Sequence, residues 1–292
     1  MKYRTLGRTG LKVSEVSLGG AYIGGTDPEN RRQNAAGLVS RALELGVNYI
    51  DTAPLYGDSE ELLGEALAAA GEPVQVATKF GFDPEDFDYS ADAVLRSLER
   101  SLRRLGVGRL TTAQIHEVNL PGWERITGPG GALEGLRAAQ KQGMCDYIGI
   151  TGRAIPLLGR LAATGEFDTL LVYHDYHPVS QLAAEAVIPA AAAAGMGIVV
   201  ATILAGGLFG YSERRDAVLA GLEPAERSRA AKVLEQLRRQ PGTLPQNAFR
   251  WVLADERVST ACSGAAKVAE LEEVAAASEM PPLDRGAATG AG

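Results

Sequence analysis

Eight short β-rich runs recur along the chain at fairly even spacing, with helical patterns between them, and this alternation constrains the fold more than any other feature. The runs are "EVSLGG" from 15, "VNYIDT" from 47, "VQVATK" from 74, "TAQIHE" from 112, "DYIGIT" from 146, "TLLVYH" from 169, "GIVVAT" from 197 and "VSTACSG" from 258. Most read as near-continuous apolar strands, the pattern of a parallel sheet covered on both faces. Parallel neighbours need right-handed crossovers, and eight of them imply a closed (β/α)8 TIM barrel; a doubly wound sheet is the alternative. A chain of 292 residues suits one such domain, and no linker divides it, so 1–292 is expected to be a single domain.

The helical stretches carry their own punctuation. In "SADAVLRSLERSLRRLG", Val94, Leu98 and Leu102 share a face while charged residues point outward. Asp58 with Glu61, and Thr243 with Gln246, fit capping boxes, and Gly46, Gly106 and Gly143 stand where helices should end. Two segments fall outside the repeat. "YRTLGRTGLKVS" reads as an N-terminal β-hairpin capping one end of the barrel. Residues 205–245 exceed one loop and hold two helical patterns, the extra helices expected near the mouth, while 285–292 reads as a disordered tail.

The balance of 29 basic against 36 acidic residues, net −7, disfavours a nucleic-acid partner. Cys145 and Cys262 lie far apart with no signal peptide, which argues for two buried thiols in a cytoplasmic protein. The longest apolar run, 182–204, is broken by Glu185, Pro189 and several glycines, so no membrane span is expected.

In a barrel of this kind the chemistry lies at the carboxyl ends of the strands. Asp51 ends the second repeat strand, Tyr56 sits in the loop after it, Lys79 ends the third and His116 the fourth. Singly, each has an ordinary structural explanation: a loop-bonding carboxylate, a packed phenol, a solvated lysine, a satisfied core imidazole. Together they form a proton-transfer device. A phenol titrates near ~10 and is a poor acid or base at neutral pH, but an adjacent ammonium favours the phenolate. A carboxylate beside the lysine keeps it charged, and the imidazole can orient a carbonyl or carbinol oxygen.

These residues sit in "NYIDTAPLYG", "EELLGEAL", "ATKFG", "LGVGRL" and "QIHEV", which resemble the aldo-keto reductases over about residues 3–276. The resemblance implies an NAD(P)-dependent barrel oxidoreductase in which Asp51, Tyr56, Lys79 and His116 take the catalytic roles, with Tyr56 as proton donor or acceptor. It implies cofactor contacts from Gly20 and Ala21 after the first repeat strand, Thr151 and Gly152 after the fifth, Thr202 and Leu204 after the seventh, and Ser263, Gly264, Ala265, Lys267 and Glu270 after the eighth. No complete G-x-G-x-x-G is present, so a Rossmann site is not supported.

"ITG" after the fifth strand, Ala201 in "ATILAGG" and "LLVYHDYHP" look more like the sugar 1-dehydrogenase branch that includes L-galactose and D-threo-aldose dehydrogenases. The implied substrate is a small carbonyl compound or a sugar. Tyr173 or Tyr176 could then face the nicotinamide, and Trp123 is a candidate sugar platform. Glu270, where phosphate-preferring relatives place a basic residue, points to NAD(H), with NADP(H) possible through Lys267. Two other functions compete: a metal-dependent barrel enzyme using His174, Asp175 and His177, and a cofactor-binding regulatory subunit without turnover. No metal is expected.

Overall fold

The structure, a computed structural model, describes residues 1–210 and 212–285. Strands β1 (Tyr3–Thr5) and β2 (Lys12–Ser14) pair antiparallel, and the tight turn between them ends at Gly10 with φ 74°. Arg4 on β1 is buttressed by Glu15 and donates to the carbonyls of Leu253, Asp255 and Val258, so the hairpin is bolted to the far end of the chain.

Eight parallel strands follow: β3 (Val16–Gly19), β4 (Tyr49–Asp51), β5 (Gln75–Phe80), β6 (Leu110–Ile115), β7 (Cys145–Gly152), β8 (Thr169–Tyr173), β9 (Gly197–Ala201) and β10 (Thr260–Ser263). They close a barrel in the order β10-β3-β4-β5-β6-β7-β8-β9. Each falls within or overlaps one of the eight β-rich runs of the sequence. Leu6 and Val13 of the hairpin region pack with Tyr49, Leu171 and Val199, residues that line the barrel interior. Burying an aliphatic side chain of this size stabilises the fold by about 1.5–3 kcal/mol.

The crossovers are helical: α1 (Arg31–Glu44), α2 (Ser59–Ala70), α3 (Ala91–Leu105), then α4 (Gly122–Thr127) with α5 (Ala132–Lys141), α6 (Ile155–Ala163) and α7 (Val187–Ala193). In α3, Val94 and Leu98 are fully buried, the Ser90 hydroxyl caps the start through Ala93 N–H, and Gly106 closes the end in the left-handed region. The expanded segment holds α8 (Ser212–Gly221) and α9 (Pro224–Arg238), the two helices anticipated there. Helix α10 (Leu244–Leu253) starts with the Thr243–Gln246 capping box.

The box expected at Asp58 does not form. Its carboxylate is drawn off by Arg31, which bonds both oxygens, leaving α2 without a side-chain cap. Of the stretch expected to form a tail, Arg285 lies 4.0 Å over the Trp251 ring, and 286–292 are outside the described residues. Cys145 and Cys262 are free, buried thiols. No described helix is long and apolar enough to cross a membrane.

Candidate active site

Strand direction places the carboxyl ends of β4, β5 and β6 side by side, and the four expected residues meet there. Asp51 pairs across the sheet with Ala77, two residues before Lys79 on the same face. Lys79, 1% exposed, ion-pairs with Asp51 Oδ1 and donates to the Thr52 carbonyl at 2.8 Å. Its ammonium lies 4.9 Å from the centre of the Tyr56 ring. The His116 ring meets Tyr56 edge-on, centroids 6.0 Å apart, and leans on Phe82 at 5.7 Å.

Burial works against the charge on Lys79, but Asp51 and then Tyr56 outweigh it and hold the ammonium above its ordinary range. For Tyr56 the balance goes the other way. Burial raises the phenol, and the lowering by Lys79 does not overcome it. An adjacent ammonium was expected to favour the phenolate; in the structure that effect is present but smaller than desolvation. His116 is pushed well below its usual value by burial and then by Lys79, so it is a neutral imidazole at physiological pH. Its Nδ1 is buried without a partner among the described residues.

The second oxygen of Asp51 is held by a residue the sequence reading missed. Gln114 on β6 donates from Nε2 to Asp51 Oδ2 at 2.7 Å. A signal for it existed: in "TAQIHE" the period of two puts Gln114 on the same face as His116. A further unforeseen pair spans the mouth, where the Tyr173 hydroxyl donates to Glu117.

Glu117, His174, Thr202 and Ala205 are the non-glycine residues with positive φ among those described, and all four lie in loops after β6, β8 and β9. Such backbone costs on the order of 1–3 kcal/mol per residue and gathers where geometry serves a site. It marks the same rim as the four side chains.

The expected cofactor residues line this rim unevenly. Thr151, Gly152 and Ser263 are buried at the ends of β7 and β10, and Thr202 and Leu204 are partly exposed after β9. Ala21 and Gly264 are exposed and Ala265 is buried. Gly20 has a structural reason to be glycine, because a Cβ there would fall 2.6 Å from Ser59 Oγ and 2.8 Å from Thr52 Oγ1. Helix α11 (Val268–Ala275) begins just after this loop, with Lys267 exposed at its start and Glu270 Oε2 accepting from Ala266 N–H at 2.8 Å.

Some expectations are corrected. Tyr176 is fully buried against Trp251 with its hydroxyl on Asp255, so it is not a nicotinamide platform; Tyr173, half-buried at the end of β8, is the one on the barrel-interior side. One face of the Trp123 ring is covered by the Arg160 guanidinium at 4.2 Å. The His174, Asp175 and His177 set does not converge: Asp175 is paired with Arg153 through both oxygens, and His177 Nδ1 accepts from the Val179 and Ser180 amides. Among the described residues no three His, Cys, Asp or Glu side chains group as metal ligands.

A family model described as the aldo/keto reductase family matches residues 15–287. The chain belongs to the aldo/keto reductase family. Among its curated relatives in that family, L-galactose dehydrogenase of Arabidopsis thaliana is 29% identical, covering 97% of this chain and 90% of the relative. D-threo-aldose 1-dehydrogenase of Pseudomonas sp is 27% identical over 93% of this chain and 92% of its own. The solved holo form of the aldo-keto reductase AKR11C1 from Bacillus halodurans superposes with a TM-score of 0.81 at 25% identity, covering 99% of this chain and 94% of that one. As an aldo/keto reductase the chain is an oxidoreductase of the kind that uses a nicotinamide cofactor, and its relatives include sugar dehydrogenases.

Proposed function

We propose that the protein, acting as a single barrel domain, interconverts an aldehyde or sugar hemiacetal and its alcohol or lactone, with Tyr56 as general acid and base. The observation that carries this reading is the buried Asp51–Lys79 pair set against the Tyr56 ring and the neutral His116 beside it. A neutral imidazole donates a hydrogen bond to the substrate oxygen without adding a charge, which orients the carbon for hydride transfer. Tyr56 then supplies or takes the oxygen-bound proton, and Lys79 steadies the negative charge that the phenol carries when deprotonated.

The residues fit a nicotinamide dinucleotide. The loop 263–267 leads into the amino end of α11 with Lys267 exposed beside it, a combination of backbone amides and ammonium suited to phosphate. The cofactor supplies the hydride acceptor or donor. Ser263, Gly264 and Ala265 would hold its phosphates, Thr151, Gly152 and Tyr173 would flank its nicotinamide, and Gly20, Ala21, Thr202 and Leu204 would border the groove between. NAD(H) is the preferred form, because the Glu270 carboxylate fixed at the helix start repels a 2′-phosphate and can accept from a ribose hydroxyl. The sugar substrate rests on the two sugar-dehydrogenase relatives that cover nearly the whole chain.

A spectrophotometric screen of aldoses with NAD+ and of aldehydes with NADPH tests the proposal. Nicotinamide-linked turnover of at least one aldose supports it. Cofactor binding without turnover across the panel would favour the regulatory-subunit reading.

A further inference from the structure

Asp51 is buried, and an ionised carboxylate in that position requires partners on both oxygens. Lys79 takes Oδ1, and Gln114 takes Oδ2 at 2.7 Å. The carboxylate can only accept, so the amide must turn its NH2 group toward Asp51, which leaves Oε1 directed elsewhere and without a partner among the described residues. An amide held in this way, with its own oxygen uncompensated, is an unfavourable choice for a core position unless the bond to Asp51 matters.

The barrel is built around this contact. Gln114 lies directly opposite Lys79 on β5 and opposite Gly149 on β7. A Cβ at position 149 would stand 2.2 Å from Thr169 Oγ1 and 3.1 Å from Gln114 Cγ, so glycine there keeps room for the Gln114 stem. Three adjacent strands thereby fix one amide against one carboxylate. The amide is also neutral: it satisfies Asp51 Oδ2 without altering the zero net charge of the Asp51–Lys79 pair that faces Tyr56.

We infer that Gln114 is a positioning residue for proton transfer, holding Asp51 in the orientation that keeps Lys79 charged and aimed at Tyr56. This rests on the function proposed above. Replacing the amide changes chemistry as well as packing. Gln114→Met keeps the length but strips the donor from a buried anion, so Asp51 is no longer held from its second oxygen. Gln114→Glu keeps the shape but exchanges the donor for a second carboxyl group set against Asp51. The negative charge it adds near Lys79 disfavours the Tyr56 phenolate.

The test compares both variants with the wild type in two measurements. In turnover, Gln114→Met is expected to lower kcat about tenfold, with KM changed less than threefold. Gln114→Glu is expected to slow alcohol oxidation at least tenfold at alkaline pH. The second measurement needs no turnover: the loss of thermal stability caused by Gln114→Met shrinks by at least half in an Asp51→Asn background, where no anion needs the donor. A residue that only fills space would give the same loss of stability in both backgrounds and an unchanged kcat. Folded variants with that behaviour would overturn the inference. Failure of the functional reading looks different, since it appears as undiminished turnover in Tyr56→Phe or as absent turnover in the wild type, and the stability measurement decides on Gln114 in either case.

Discussion

Lys79 stands with its ammonium over the Tyr56 ring, 4.9 Å from the ring centre, while its charge is anchored by Asp51. The phenol is raised by burial first, with Lys79 opposing, so Tyr56 carries its proton throughout the neutral range. Carbonyl reduction should therefore hold steady from pH 6 to 8, whereas oxidation should climb with pH up to about tenfold per unit as the proton acceptor becomes available. Tyr56→Phe is expected to lower kcat at least about a hundredfold, within the span of general acid–base effects, with cofactor affinity nearly unchanged. Steady-state kinetics in both directions, with fluorescence titration of the cofactor, measure this.

Lys79→Met removes the group that favours the phenolate and leaves Asp51 buried with one oxygen uncompensated. Breaking a buried pair in this way costs about 3–5 kcal/mol, so the variant should unfold at markedly lower denaturant concentration. Its remaining activity should show the alkaline limb moved to higher pH. Denaturant titration and a pH–rate profile check the two halves separately.

His177 is lowered to about 4, by burial first and then by the neighbouring His174. The folded state resists the proton that the unfolded chain accepts near ~6.5, so between about 4 and 6.5 the unfolded state binds more protons. Stability should consequently fall as pH drops through this window and level off above it. Asparagine offers an acceptor for the Val179 and Ser180 amides without titrating, so His177→Asn should flatten the slope. Thermal midpoints at half-unit pH intervals would show it.

Glu270 both bears charge and closes the first turn of α11 through Ala266 N–H. Glu270→Gln keeps the acceptor and deletes the charge. It should raise the kcat/KM ratio of NADP(H) to NAD(H) about twofold to fivefold, in line with losing one repulsive contact in a wet groove. Glu270→Arg should shift the preference further but lower stability by about 1 kcal/mol through the lost hydrogen bond from Ala266 N–H.

Gly149→Ala should destabilise the barrel by about 1–3 kcal/mol, since the methyl would collide with Thr169 Oγ1 at the seam between β7 and β8. Thr169→Ala in the same background should recover part of the loss, which a two-by-two denaturation cycle would quantify.

The period-two and period-3.6 patterns were enough to locate all eight barrel strands and to set Asp51, Tyr56, Lys79 and His116 on one rim, because these depend on local alternation and on where strands stop. Pairings between distant segments were not legible. Arg31 taking Asp58 from its expected capping role joins residues 27 apart in sequence, and Gln114 bonding Asp51 joins residues 63 apart. Tyr173 and Tyr176 could not be told apart in sequence because the chain leaves the strand at His174, where positive φ breaks the alternation. The sign of the Tyr56 shift escaped for another reason: it depends on how much solvent the fold removes, a quantity no spacing encodes.

Arg4 binds carbonyl oxygens of Leu253, Asp255 and Val258, so the floor of the barrel is tied by residues about 250 positions apart. On a ribosome the hairpin emerges about 250 residues ahead of these partners and must wait for them. At about 5–20 residues per second the wait is on the order of tens of seconds. During that interval Leu6 and Val13 have no barrel interior to enter, and the nascent chain presents them to the chaperones that shield unfinished proteins.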